Sequence, residues 1–394
     1  TDPNMRTGIF QYNAEIVPIL IFATIEAIVL ITWLVQWSIK GVDLFGEKVL
    51  SGRASITLPQ YFGRRARPVL LVALIGFVLF TVVRQDFTYG ALPFSQGFQW
   101  PQTTAHARLA QRFVNMIPPT ASVSAQSSLV PHVSHRSQIY LFPYGDDRAD
   151  YIFLDVISDT YPLNYAPYIH DVKSLLLDGN YGVVAAQDGY MLFKRGLTAP
   201  GISPYSPVQD GDDVIPDLPD DFCSFVYVAQ KQVKNPLRVD FTTTASPVAN
   251  VSLIGYSFAA PNMFPKNVLT RYMQVTTYWR LNTSSLPPLR IVVLLLDKTG
   301  KEMYASIDFP ANSWCPTTTW KPGALLRLRS SILYIGALPK GITHVAIALL
   351  PLGVSFGSSA AAQARLPLQV VHAPGSVAPV EGTNALQLAT FSIQ

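Results

Sequence analysis

Two long apolar runs lie near the start of the chain, and beyond them the pattern breaks into short alternations. Ile16–Ile39 is 24 residues long, interrupted by Glu26 and a few small polar groups. Pro68–Val83 adds 16 residues without a charge, bounded by Arg67 and Arg84. A membrane span needs about 20 apolar residues at 1.5 Å rise each. The pattern therefore predicts two transmembrane α-helices, at about 16–39 and 68–84, within a membrane region covering residues 1–100.

Charge sets the expected orientation. The 40–67 loop carries Lys40, Lys48, Arg53, Arg64, Arg65 and Arg67 against Asp43 and Glu47, whereas the N-terminal flank offers Arg6. Basic short loops stay in the cytoplasm. The expected location is the cell membrane, multi-pass, with residues after about 85 outside the cytoplasm. No basic leader with a cleavage site precedes the first span, and the chain opens on "TDPNMRTG" without a Met. The expectation is an N-terminally truncated chain with further helices upstream.

Downstream of the spans the periodicity predicts two modules. In 101–197, "TAHARLAQRFVNMI" places Leu109, Ala110, Phe113, Val114 and Ile117 on one helix face, with Thr104 as N-cap. "ASVSAQ", "QIYLFP" and "DYIFLDVI" read as strands. "APYIHDVKSLLLDGN" is an amphipathic helix stopped at Gly179-Asn180, and "YGVVAAQDGYMLFKRG" is a hairpin turning at Asp188-Gly189. This is an α/β module. Residues 198–221 are rich in Pro, Gly and Asp without periodicity and read as a solvated linker. Its aspartates lack the spacing and terminal Glu of a calcium loop. Residues 222–394 give about ten alternating strands separated by turn clusters, a β-sandwich of jelly-roll type. The fold class expected is therefore mixed: two spans, an extracytoplasmic α/β module and a C-terminal all-β sandwich.

Composition narrows the function. A hydrophobic share of 49% with mean hydropathy +0.25 suits a part-membrane, part-aqueous protein. The net charge of +4 is modest, and its basic residues form no stripe interleaved with aromatics, so nucleic acid is not an expected partner. Phosphate-loop, dinucleotide, HExxH and CxxC motifs are absent from the sequence, so no cofactor or metal is expected. "GYSFA" around Ser257 lies in an alternating strand rather than a nucleophile elbow. His132 and His135 share a spacing but lack a third ligand, and Asp155 and Asp159 fit a loop cap better than a general base. Cys223 and Cys315 permit a disulfide in an oxidising compartment, with two buried thiols as the alternative.

Glu26 is the anomaly. Glu15 and Glu26 are 11 residues apart, nearly three helical turns, so with Gln11 they form an intramembrane polar stripe. A carboxylate at that depth costs about 2.5–3.5 kcal/mol on insertion scales and needs a partner. The second span holds no cation. The partner must then be an upstream helix, another subunit, or a local acceptor for a protonated Glu26.

The strings "GIFQYNAEIVPILIFATIEAI", "IPPTASVSAQSSLVPHVSHRSQIYLFP", "DYIFLDV" and "LLLDGNYGVVAAQDGYMLFKRG" resemble the C-terminal part of a bacterial predicted membrane protein family of unknown function. That family is similar to C-type glycosyltransferases, which use polyprenyl-phosphate sugars. The likeness covers residues 1–197. It implies many more helices upstream and a catalytic carboxylate in a first outer loop that this chain does not contain. "TTYWRL", "VVLLLDKTGKEM" and "PTTTWKPGALLRLRSSI" resemble the sandwich appended to some bacterial sugar-transferring membrane enzymes. Trp279, Trp314 and Trp320 are candidate glycan-stacking residues, with core packing as the competing role.

The expected function is the C-terminal portion of a multi-pass, glycosyltransferase-like membrane protein whose outer modules bind glycan or position an acceptor. Its partners would be the lipid bilayer, upstream helices or another subunit, and a polyprenyl-phosphate sugar or surface glycan. The alternative is a non-enzymatic, membrane-anchored surface protein whose sandwich binds carbohydrate or protein.

Overall fold

The chain divides into two compact units, Thr1–Gln102 and Thr103–Gln394. The computed structural model describes residues 16–49, 60–89, 93–96, 98, 100, 103–209, 211–244, 248–259, 272–336, 338–339, 341–354 and 359–393. Gln11 and Glu15 of the polar stripe lie outside the described residues.

The first unit is a pair of helices in contact, α1 (Ile16–Val49) and α2 (Gln60–Tyr89). Within them Val17–Ser38 and Pro68–Thr88, 22 and 21 residues long, are apolar enough to cross a membrane. The second extends past the predicted end at Arg84. Large apolar side chains such as Phe22, Val72 and Phe77 stand exposed, an arrangement that hydrocarbon stabilises and water does not. The hydroxyls of Thr24, Ser38 and Thr81 each bond a carbonyl one turn back, so these three need no water.

The second unit begins with α3 (Ala105–Met116), capped as predicted by the Thr104 hydroxyl, which accepts from Ala107 N at 3.0 Å. β1 (Val123–Ala125), α4 (Val130–Val133), β2 (Ile139–Leu141), β3 (Tyr151–Asp155), α5 (Tyr165–Leu177), β4 (Tyr181–Gln187) and β5 (Tyr190–Arg195) follow. The strands form one sheet in the order β2-β1-β3-β5-β4, parallel across β1 and antiparallel at the β4–β5 hairpin. That hairpin turns at Asp188 and Gly189, both with positive φ, as a tight two-residue turn requires. β3 is buried along its whole length because helices cover both faces. Phe113 and Val114 of α3 meet Phe153 and Leu192, while Tyr168 and Val172 of α5 meet Ile152 and Phe193.

The sandwich comprises two antiparallel sheets. One contains β6 (Pro236–Thr242), β7 (Asn250–Ala259), β8 (Tyr272–Leu281), β11 (Leu325–Arg329) and β14 (Leu368–His372), with β12 (Leu333–Tyr334) also on β8. The other contains β9 (Leu289–Leu296), β10 (Glu302–Ser306), β13 (Gly341–Pro351), β15 (Ala378–Pro379) and β16 (Leu386–Ile393). Short α6 (Pro310–Trp314) and α7 (Ser359–Ala364) complete the unit. β9 reads "IVVLLL" without alternation because it is covered twice. Ile291, Val293 and Leu295 enter the core between the sheets, and Val292, Leu294 and Leu296 pack with Ala361 of α7.

Two expectations are revised. The 198–221 segment lacks long elements, as its composition implies, yet it is packed rather than solvated. Val214 and Ile215 are buried, Ile202 bridges Pro216, and Asp213 pairs with Arg290 at 2.6 Å. Secondly, Trp279, Trp314 and Trp320 are 0%, 2% and 4% exposed, so none presents a face for a glycan to stack on. Trp279 donates to Thr277 Oγ1 and Trp320 to the Cys315 carbonyl, whereas the Trp314 indole N–H is buried without a partner among the described residues. A single core runs from the α5 side of the first sheet into the sandwich.

Candidate functional site

The parallel strands of the first sheet deliver their C-terminal ends to one edge, where ligand sites in open α/β sheets often lie. Gln126 follows β1 and Asp155 ends β3. Gln126 Oε1 accepts from Asp155 N at 3.0 Å and from the Tyr168 hydroxyl at 3.1 Å, while its Nε2 donates to the Asp159 carbonyl at 2.6 Å. Asp155 is thereby locked, and its Oδ1 accepts from Ile157 N at 3.2 Å.

His106, in the first turn of α3, reaches into this edge. Its Nε2 stands 3.2 Å from Asp155 Oδ2 and its Nδ1 2.9 Å from Asp188 Oδ2. The ring stacks on Tyr190 with centroids 4.2 Å apart. Asp188 Oδ1 also accepts from Ser224 Oγ at 2.9 Å, which ties the hairpin tip to the start of the sandwich. Burial alone would lower the His106 pKa. The hydrogen bonds and charges of Asp155 and Asp188 outweigh it, and the net shift is upward.

This geometry decides what the histidine can do. Two carboxylates occupy both ring nitrogens, so neither is left to take a proton from a substrate or to bind a metal. The arrangement is a clamp joining α3, β3, the hairpin tip and the sandwich. Because the folded pKa is raised, its stabilisation is complete below about 6.5, the free histidine value, and is lost as pH rises through the folded value. His106→Ala is expected to lower the melting temperature most at pH 6, by about 1–3 kcal/mol in stability, and less at pH 9. A gap between variant and wild type that widens with pH would overturn the clamp.

The sequence pattern marks Asp188 only as a turn residue and gives His106 no role. The available signal was His106 continuing the apolar face of Ala110, Phe113 and Val114, a polar residue where burial was expected. The His132 and His135 side chains are exposed beside a hollow of about 520 Å³. The neighbouring Arg136 is consumed by the Ile117, Pro118 and Val133 carbonyls. Among the described residues no three His, Cys, Asp or Glu side chains converge to hold a metal. Ser257 lies in β7 opposite Thr276, within a strand. Cys223 and Cys315 are joined in a disulfide, with Cα atoms 5.9 Å apart.

Two further places stand out. Glu26 is exposed on α1, without a hydrogen bond or ion pair among the described residues. In the second unit, a cleft of about 420 Å³ opens between α5, residues 207–215 and the sandwich. Ile169, Ile215 and Leu289 form its buried floor, and Asp212 and Asp213 stand exposed at its rim. One turn along α5 from Ile169, Lys173 is 2% exposed. Its ammonium donates to the Val214 carbonyl and lies 4.5 Å from the Trp314 ring centroid. Burial pulls its pKa down to about 7, against the opposing charges of Asp213 and Asp212.

Comparison with curated proteins found no match. Among solved structures, one described as "Crystal structure of the C-terminal domain of wzt" is similar at 10% identity and a TM-score of 0.23, covering 42% of this chain and 89% of that one. Residues 2–192, which contain both apolar helices and the α/β layer up to β5, match the model of a family described as "Predicted membrane protein (DUF2079)".

Proposed function

We propose that this chain is the C-terminal part of a multi-pass, glycosyltransferase-like membrane protein. In this reading residues 103–394 face the outside of the cell and hold glycan or acceptor beside a catalytic centre supplied by the rest of the assembly. One observation carries it. Glu26 lies 9 residues from Val17 and 12 from Ser38, the ends of its span. That is about 14 and 18 Å along the helix, close to the bilayer centre. A carboxylate exposed on a helix pair at that depth calls for a polar partner on another helix. The basic 40–67 loop supports the orientation, and the resemblance of residues 1–197 supports the chemistry.

The test is to compare Glu26→Gln and Glu26→Leu in the full-length membrane protein. An amide still hydrogen-bonds, so Gln is expected to leave the melting temperature within about 1 °C. Leu is expected to lower stability by about 1–3 kcal/mol, because it strands the partner group without a hydrogen bond. In a lone anchor the outcome reverses: Leu removes an insertion cost and raises both membrane yield and stability. Reporter fusions at Ser55 and Pro200 complete the test, expected inside and outside respectively.

A further inference from the structure

We propose that the cleft between α5, residues 207–215 and the sandwich binds an uncharged, polyhydroxylated ligand, a short saccharide. The proposal rests on the reading above only in taking such ligands to be what this unit meets. Its volume of about 420 Å³ falls within the roughly 300–1,000 Å³ of small-molecule sites. Three separate parts of the unit contribute walls, so a ligand there would touch all of them.

The lining selects by charge. Asp212, Asp213 and Asp308 line the cleft with one guanidinium, Arg290, which already pairs with Asp213 at 2.6 Å, while Asp212 pairs with His170 just outside it at 2.9 Å. A phosphate or carboxylate ligand would meet surplus negative charge. A purely apolar ligand would desolvate these groups without replacing their hydrogen bonds. Asp308 is half-buried and has no ion-pair partner among the described residues, and burial raises its pKa. Its carboxyl oxygens can accept hydrogen bonds from ligand hydroxyls. Asn312 donates Nδ2 to the Leu289 carbonyl, while its Oδ1 is buried without a partner. Hydroxyls supply both donors and acceptors to such a set, and the C–H faces of a sugar ring match the Ile169, Ile215 and Leu289 floor.

The experiment uses the full chain in lipid nanodiscs, which avoids sugar-headed detergents. Chitobiose, cellobiose and mannobiose serve as uncharged probes, with glucose 1-phosphate and glucosamine as charged ones, titrated by saturation-transfer NMR. At least one uncharged disaccharide is expected to bind saturably. Ala166→Trp places a large ring in the cleft from an exposed position on α5, and is expected to weaken that binding at least tenfold. Asp308→Asn is expected to change it less than threefold and Asp308→Ala about tenfold, with melting curves confirming that each variant folds. Three results would overturn the proposal: no uncharged disaccharide binds, only a charged probe binds, or Ala166→Trp leaves binding unchanged. The nanodisc exposes both faces, so the outcome does not depend on membrane orientation. The reporter fusions can fail while saccharide binding stands, and the reverse.

Discussion

Lys173→Met is expected to stabilise residues 103–394 at pH 6 and to remove most of the rise in stability that the wild type shows between pH 7 and 10. Lys173 is buried on α5, and its pKa falls to about 7 because burial disfavours the ammonium. In the unfolded chain a lysine titrates near 10.4. Between those values the unfolded state binds a proton that the folded state does not, so stability climbs with pH. The cost is fully present below about 7 and relieved as pH rises toward the unfolded value. Complete relief over that window amounts to a few kcal/mol.

Methionine has a similar length and carries no charge to desolvate. It gives up the bond to the Val214 carbonyl and the contact with the Trp314 ring, a loss of about 1–3 kcal/mol. The net gain expected at pH 6 is therefore about 1–2 kcal/mol, or a few degrees in melting temperature. Denaturant titrations of both proteins at pH 6, 7.5 and 9.5 provide the check. Parallel stabilities across that range would mean that Lys173 titrates normally, contrary to its burial.

The second large effect concerns Cys223 and Cys315. Their bond spans 92 residues of sequence and joins the 3₁₀ turn Phe222–Val226 to the end of α6. Closing a loop of that length restricts the unfolded chain, and removing such a bond costs about 2–5 kcal/mol. Its neighbours add to the effect, since Trp314 also packs against Phe222 with ring centroids 6.3 Å apart. The double variant Cys223→Ala, Cys315→Ala is expected to melt about 5–10 °C lower. Wild type unfolded and refolded under reducing conditions should match it. Equal melting temperatures for oxidised wild type and the double variant would show that packing alone holds this junction.

The sequence alone determined the features that depend on local pattern. The two apolar runs specify their helices because length and hydropathy suffice for a span. Thr104 specifies the start of α3, and Asp188-Gly189 specifies the hairpin, because caps and tight turns are decided by one or two residues. Alternation in 222–394 specified a sandwich because strands covered on one face repeat every second residue. Tertiary structure decided everything that rests on contacts between distant positions. His106 meets Asp188 across 82 residues and Cys223 meets Cys315 across 92. No local pattern encodes either pairing, since the first follows from how α3 packs beside the β4–β5 turn and the second from how the Phe222–Val226 turn docks against α6. The same docking drew Val214 and Ile215 out of an apparently solvated stretch and turned Trp314 from a candidate platform into core. Composition reports how much apolar surface a segment carries, whereas burial depends on the neighbour that covers it, and here that neighbour lies in another part of the chain.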